Sequence, residues 1–273
     1  MAALRARGDE VIVVSRQGGH PGAVGWDAVD GEVARADAVV HLAGEPIAEG
    51  RWTPERLERI RSSRVDTTAR LASAIATTNR PRVFVCGSAV GIYGMRLDDV
   101  VCDETTPAAD DVLARIGKEW EAAAVPATAA SVRVVHARIG VVLGRQGALA
   151  KMRKPFELFV GGPVGTGRQW LSWVHVSDVV RALLFMVDHP SLAGAVNLVA
   201  PAPVTMNDFA AALGKALGRP SALRVPAFAL RAAVGEGLAE LLLTGQRVAP
   251  RALVAAGFTF EFPRLDDALR DLR

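Results

Sequence analysis

Short apolar runs that alternate with segments of helical periodicity constrain the fold of this chain more than any other feature. The runs cover residues 11–14, 38–42, 83–86 and 132–137. Between the second and third run, apolar residues recur at helical spacing from residue 54 to about residue 77, which predicts one long helix. Strands that alternate with helices are typical of a parallel sheet covered by helices on both faces.

The first ten residues predict the end of a helix rather than its beginning. They lead through a turn at Gly8 and Asp9 into the first apolar run. In an alternating chain of this kind, such a helix follows a strand and a loop. We therefore expect a first strand and its glycine-rich phosphate loop upstream of Met1, in about 15–20 further residues.

Composition argues against several functional classes. The formal net charge of +3 comes from scattered Lys and Arg, which is a poor footprint for a nucleic-acid-binding protein. No apolar run approaches the roughly 18 residues of a membrane-spanning helix, and no signal segment comes first, so we expect a cytoplasmic protein without a membrane partner. Two cysteines, Cys86 and Cys102, are too few for a disulfide framework or a metal cluster, and no metal site is expected.

Two glycine-rich stretches have the spacing of nucleotide loops, and each lacks a required partner. Residues 18–25 (GGHPGAVG) are followed by residues 26–37, which carry three aspartates and no continuous apolar stripe. We expect no helix there that could pack on a sheet and hold a diphosphate. Residues 161–169 (GGPVGTGRQ) offer Arg168 and Gln169 where a P-loop requires Lys and Ser or Thr.

Seven segments that together span nearly the whole chain carry a family resemblance. They are DAVVHLAGEPI (37–47), RWTPERLERIRSSRVDTTARL (51–71), GSAVGIYG (87–94), ARIGVVLGRQGALAKM (137–152), GGPVGTGRQWLSWVHVSDVV (161–180), NLVAPAPVTMNDFAAALGKALGRP (197–220) and GQRVAPRALVAAGFTFEFPRLDDAL (245–269). These segments resemble the extended short-chain dehydrogenase/reductase superfamily, and within it a subgroup described as sugar-nucleotide epimerases.

The resemblance implies an α/β fold in which a doubly wound parallel sheet forms a Rossmann domain and a smaller C-terminal lobe closes over the substrate. The expected boundaries are residues 1–150 for the dinucleotide-binding domain and 151–273 for the lobe. It implies a small-molecule substrate and NADP as cofactor, with NAD as the alternative, and it leaves a homodimer open.

The resemblance also places cofactor contacts along the ends of the strands. Arg16 lies where an acidic residue would select NAD, and a guanidinium suits the 2′-phosphate of NADP instead. The remaining expected contacts are Ser15 beside Arg16, Trp26 and Asp27 near the adenine, Leu42, Ala43 and Gly44 along the dinucleotide, and Arg138, Ile139 and Gly140 at the nicotinamide.

One departure from the family concerns the proton donor. The superfamily uses a Tyr with a Lys four residues later, and the lysine lowers the pKa of the phenol. This chain has one tyrosine, Tyr93, and Leu97 stands four residues after it. In the helix that should carry the pair, alignment puts Leu113 and Gly117 at the two positions, so the standard relay is missing.

The candidate catalytic residues are therefore Ser88 and Tyr93. Ser88 follows a strand at the carboxyl edge of the sheet and resembles the family hydroxyl that polarises a substrate carbonyl or alcohol. Three charged residues, Glu45, Arg51 and Arg168, are candidates for the substrate pocket. Two functions remain open: an NADP-dependent oxidoreductase or epimerase, and a non-catalytic NADP-binding sensor.

Overall fold

The computed structural model describes residues 1–15, 22–78 and 80–273. The strands are β1 (Val13–Val14), β2 (Ala23–Val24), β3 (Ala38–His41), β4 (Val83–Ala89), β5 (Val101–Cys102), β6 (Arg133–Ile139), β7 (Val141–Leu143), β8 (Trp170–Leu171), β9 (Trp173–His175), β10 (Gly194–Leu198), β11 (Val204–Thr205) and β12 (Arg247–Val248). The helices are α1 (Ala2–Ala6), α2 (Val29–Val33), α3 (Pro54–Thr78), α4 (Val112–Ala122), α5 (Val125–Ala129), α6 (Ala148–Glu157), α7 (Val176–Asp188), α8 (Met206–Leu217), α9 (Ala227–Val234), α10 (Glu236–Leu243), α11 (Arg251–Ala255) and α12 (Leu265–Asp271).

The main sheet is parallel, and helices cover both of its faces. Its strand order is β10-β6-β4-β3. Side chains alternate along β4, so Phe84 and Cys86 pack under α2, α3 and α5, while Val83 and Val85 pack under α7 and α11. The predicted α/β fold with a doubly wound parallel sheet is confirmed.

A separate parallel pair, β1 and β2, stands beside this sheet. The two strands pair with each other through Val13 and Ala23 and through Val14 and Val24. In the part of the chain that the structure describes, neither strand pairs with β3, and Val40 on β3 is 40% exposed. The outer edge of β3 therefore carries backbone groups without a strand partner among the described residues.

The second half of the chain builds a second core and also completes the first. Helices α6, α8 and α12 pack around Trp173 and Phe209 in a cluster of their own. However, β10 pairs with β6 in the main sheet, and α7 packs on that sheet. Residues after position 150 thus belong to both cores, because β10 supplies the parallel neighbour that β6 needs on its outer side.

Both glycine-rich stretches lead into strands. Gly22 precedes β2, with residues 18–21 outside the described part of the chain, and the four glycines of the loop at 161–167 precede β8. The expectation for residues 26–37 was wrong in one respect: α2 does pack on the core. Val29 and Val33, four residues apart, are buried against α3. In the described residues, no helix is long and apolar enough to cross a membrane.

Candidate functional site

A cavity of about 970 Å³ opens at the carboxyl ends of β4 and β6. Its walls are mostly apolar, and they come from α3, α4, the turn after β4, β7 and the second-lobe helices α6 and α10. The polar side chains on the walls are Arg64, Ser88, Arg145, Gln146, Ser172, His175, Ser177, Thr244, Gln246 and Asp271. Open α/β sheets bind ligands at this edge, and the volume is that of a small-molecule site.

Ser88 reaches the cavity from the end of β4, but its proton is engaged elsewhere. The hydroxyl donates a hydrogen bond of 2.7 Å to Oε1 of Glu121 on α4. Gly87, the residue before Ser88, allows the sheet edge to approach Trp120, since a Cβ there would lie 3.1 Å from the indole. Ser88 therefore presents oxygen lone pairs, rather than its proton, to a ligand.

Arg138 at the end of β6 locks this arrangement. Its Nε and Nη2 each donate a 2.8 Å hydrogen bond to one oxygen of Glu121, and its Nη1 donates to the Tyr93 phenol at 3.0 Å. Burial by itself raises the pKa of Glu121, but the hydrogen bonds and charge of Arg138 outweigh it and hold that pKa below its ordinary value. Glu121 thus stays ionised and accepts the hydrogen bond from the Ser88 hydroxyl.

Tyr93 continues the network away from the cavity. Its phenol donates to Oδ1 of Asn197 at 2.7 Å, and the Asn197 backbone N–H donates to Glu104 at 3.0 Å. Burial raises the pKa of Tyr93, although Arg138 opposes this. Tyr93 is fully buried and does not line the cavity, so the structure places this candidate beside the site and not in it.

Of the three predicted nicotinamide contacts, two line the cavity and one lies beside it. Ile139 and Gly140 line the cavity, whereas the Arg138 guanidinium is committed to Glu121 and Tyr93. Gly140 also has a packing role, because a Cβ there would lie 2.5 Å from the backbone oxygen of Ser172.

The other predicted cofactor residues lie around the end of β3. Leu42, Ala43 and Gly44 are exposed where that strand ends. Trp26 stands edge-on to His41, with Asp27 next to it, and the backbone N–H of Ser15 donates to Val24 at 3.0 Å. Arg16 lies outside the described residues. These assignments stay predictions.

The three charged residues assigned to the substrate are not brought into the cavity. Glu45 pairs with Arg56, Arg51 donates to the backbone oxygen of Ala232 on α9, and Arg168 is exposed. Their role in substrate binding stays a prediction.

Arg64 is a cavity residue that the sequence reasoning missed. It lies on α3 four residues after the buried Ile60 and seven before the buried Leu71, on the apolar stripe of that helix. A charged residue on a buried stripe was the available signal. Its guanidinium stacks over the Trp120 ring, 5.2 Å from the centroid.

His175 and Asp271 line the opposite, second-lobe wall. The Nδ1 of His175 accepts the backbone N–H of Ser177 at 3.1 Å, and its Nε2 lies 3.3 Å from a carboxylate oxygen of Asp271. Because Nδ1 is an acceptor, the neutral ring carries its proton on Nε2. His175 thus caps α7, which gives it a structural role, while its buried Nε2 makes no hydrogen bond of good geometry within the described residues, although Asp271 of α12 is close.

Acidification from pH 6.5 to about 4 is expected to weaken the fold through His41. Burial lowers the pKa of His41 from 6.5 to about 4, and its Nε2 lies 3.0 Å from the Thr67 hydroxyl. In this window the unfolded chain binds a proton that the folded chain does not, so the free energy of unfolding falls as the pH falls. Urea denaturation at pH 7, 5.5 and 4.5 should show a shallower fall for His41→Gln than for wild type, and equal slopes would contradict this.

Comparison with known proteins gives one family model over most of the chain. Residues 1–198 match the NAD-dependent epimerase/dehydratase family, and residues 225–272 match a domain of unknown function (DUF1731). The epimerase family protein ML0860 of Mycobacterium leprae is 42% identical over 275 residues, which cover 98% of this chain and 89% of that protein.

Two solved structures are similar over nearly the whole chain. The human epimerase family protein SDR39U1 (isoform 2), crystallised with NADPH, superposes with a TM-score of 0.90 at 37% identity and covers 99% of this chain and 93% of its own. A nucleoside-diphosphate sugar epimerase from Corynebacterium glutamicum gives 0.79 at 32% identity, covering 98% of this chain and 53% of that one.

Proposed function

Because this chain belongs to the NAD-dependent epimerase/dehydratase family, we propose that it binds NADP(H) and exchanges hydride with a small hydroxyl- or carbonyl-bearing substrate held in the cavity. The observation that carries the proposal is the placement of Ser88 on a 970 Å³ cavity at the carboxyl edge of the parallel sheet. Ligands of open α/β sheets bind in that position.

The described residues suit two parts of the cofactor. Ala89, Ile139 and Gly140 form a wall on which a nicotinamide can lie. The turn from Leu42 to Gly44 at the end of β3 is exposed and can contact the dinucleotide. Trp26, the residue we assign to the adenine, lies against His41 at the end of the same strand. Two observations support NADP over NAD: the human relative is crystallised with NADPH, and Arg16 stands two residues after β1 in the sequence. We assign no residue to the diphosphate.

The chain's own contribution to the chemistry is to position a substrate hydroxyl. When bound, the nicotinamide accepts or supplies the hydride. The Ser88 hydroxyl donates a hydrogen bond to Glu121, so its lone pairs accept a hydrogen bond from a substrate O–H and hold that group in place. Arg138 keeps Glu121 ionised, and the apolar walls exclude water from the reacting atoms.

A non-catalytic sensor is the second candidate, and one observation favours it. The single tyrosine of the chain is enclosed by Arg138 and Asn197, away from the cavity, and no lysine follows it at the family spacing. On this proposal the protein binds NADP(H) and reports its presence to a partner without turning it over.

A binding experiment followed by turnover separates the two candidates. We expect the protein to bind NADPH more tightly than NADH in a fluorescence titration and to oxidise NADPH with some members of a panel of 2-keto acids, aldehydes and nucleotide sugars. Ser88→Ala should keep NADPH affinity and lose about ten- to a hundred-fold in the reverse reaction, NADP⁺ reduction by the corresponding alcohol, since the hydrogen bond that Ser88 accepts from the substrate hydroxyl is removed.

Ser73→Ala, an exposed serine on α3, is the matched control and should leave both quantities unchanged. NADPH binding without oxidation by any compound of the panel would favour the sensor. Absence of NADPH binding would contradict both candidates.

A further inference from the structure

Arg64 carries a charge on the cavity wall that no carboxylate of the described residues neutralises. Its Nη1 donates to the backbone oxygen of Ile60 at 2.9 Å and to the Ser63 hydroxyl at 3.4 Å. Its Nε and Nη2 have no hydrogen-bond partner in the parts of the chain that the structure describes. Neighbouring arginines differ: Arg56 pairs with Glu45, and Arg61 pairs with Glu119.

Gly44 lies against the face of the Arg64 guanidinium. A Cβ at Gly44 would lie 3.0 Å from Cζ, 3.2 Å from Nη2 and 3.3 Å from Nε, so the guanidinium keeps this position because residue 44 has no side chain. Those two nitrogens form the edge of a guanidinium that binds both oxygens of a carboxylate. Arg138 uses the same two nitrogens to bind Glu121 at 2.8 Å each, which shows the geometry within this protein.

Burial works against this free charge. It lowers the pKa of Arg64, although Glu45 nearby raises it in part. A half-buried cation beside apolar walls is costly unless an anion joins it. Ser88 lies in the same cavity, and a Cβ at its neighbour Gly87 would lie 3.1 Å from the Trp120 ring on which the Arg64 guanidinium stacks.

We propose that Arg64 binds the carboxylate of the substrate, so that the cavity takes a small organic acid with an apolar body and a hydroxyl or carbonyl group near Ser88. This proposal rests on the proposed function in one respect, namely that the substrate binds in this cavity. It differs from a nucleotide-sugar substrate, because the walls of the cavity are mostly apolar and match an aliphatic body, and the Nε–Nη2 edge of Arg64 matches one carboxylate.

Calorimetric titration with 2-hydroxyoctanoate and its neutral amide, 2-hydroxyoctanamide, tests this, each with and without saturating NADPH. We expect wild type to bind the acid at least ten-fold more tightly than the amide. Arg64→Gln should weaken acid binding by about ten- to a hundred-fold, as expected for a lost charge-assisted pair, and leave amide binding unchanged. Arg70→Gln, an exposed arginine of the same helix, is the matched control and should bind like wild type.

Gly44→Ala provides a second variant that keeps the charge. Its added methyl group would lie 3.0 Å from Cζ, so it should displace the guanidinium and weaken acid binding, while Arg64→Lys should keep part of it. Either variant serves if Arg64→Gln fails to fold, which circular dichroism will reveal.

Three results would overturn the proposal: equal affinity of wild type for acid and amide, binding of neither, or unchanged acid affinity in Arg64→Gln. An Arg64→Gln protein that loses NADPH affinity but keeps acid affinity would assign the guanidinium to the cofactor instead. Acid binding that depends on Arg64 without NADPH would support this proposal even if the protein binds no NADPH, so the two proposals fail separately.

Discussion

Arg138→Met is expected to lower the free energy of unfolding by about 3–5 kcal/mol. The side chains of Arg138 and Glu121 are only 10% and 15% exposed, and the substitution would leave a buried carboxylate with the Ser88 hydroxyl as its remaining partner. Removing one member of a buried pair costs this amount because the other charge stays desolvated. Urea denaturation at pH 7 measures the change.

Two further variants test the reason for that loss. Arg61→Met removes a partner of Glu119 in a pair that is 36% and 47% exposed, and should cost less than about 1 kcal/mol. The double variant Arg138→Met with Glu121→Leu should recover much of the stability, because no unpaired charge remains buried. A loss below about 1 kcal/mol in Arg138→Met would show that the buried Arg138–Glu121 pair does not stabilise the fold.

Asp178→Ala should destabilise the fold by about 3–5 kcal/mol. Asp178, at the first turn of α7, is fully buried and accepts the backbone N–H groups of Glu261 and Phe262 at 2.8 and 2.9 Å. Without the carboxylate, two partly buried N–H donors lose their charged acceptor, while Arg181 remains free to reach solvent. Thermal and urea unfolding measure the loss.

Asp188→Ala on the same helix is the matched control. Asp188 pairs with Arg7 at the surface, with 51% of its side chain exposed, so its removal should cost less than about 1 kcal/mol. If the two variants lose equal stability, Asp178 does not fasten residues 261–262 to α7.

Long periodic elements could be predicted from the sequence because each buries one continuous face. The helix expected at 54–77 is found at Pro54–Thr78. The strand expected at 83–86 extends to Ala89, because backbone pairing with β6 continues through Gly87 and Ser88 after the apolar run ends. Ser88, expected just after the strand, lies within β4 and on the cavity wall.

The polar network could not be predicted, because its members come from distant parts of the chain. Glu121 lies on α4, Arg138 on β6, and Asn197 on β10, and no local spacing relates them. This network determines that the Ser88 hydroxyl donates its hydrogen bond to Glu121 and not to a ligand. By contrast, Arg64 could have been noticed, because it interrupts the apolar stripe of α3.

The residues after position 250 complete both apolar cores, and they are synthesised after the residues that they cover. Leu253 and Phe258 complete the cluster on the main sheet, and Leu269 and Leu272 complete the cluster of the second lobe. A ribosome makes these side chains after all the surfaces they cover. The nascent chain therefore exposes two incomplete apolar clusters until translation passes this segment, and exposed apolar surface of this kind favours aggregation and chaperone binding.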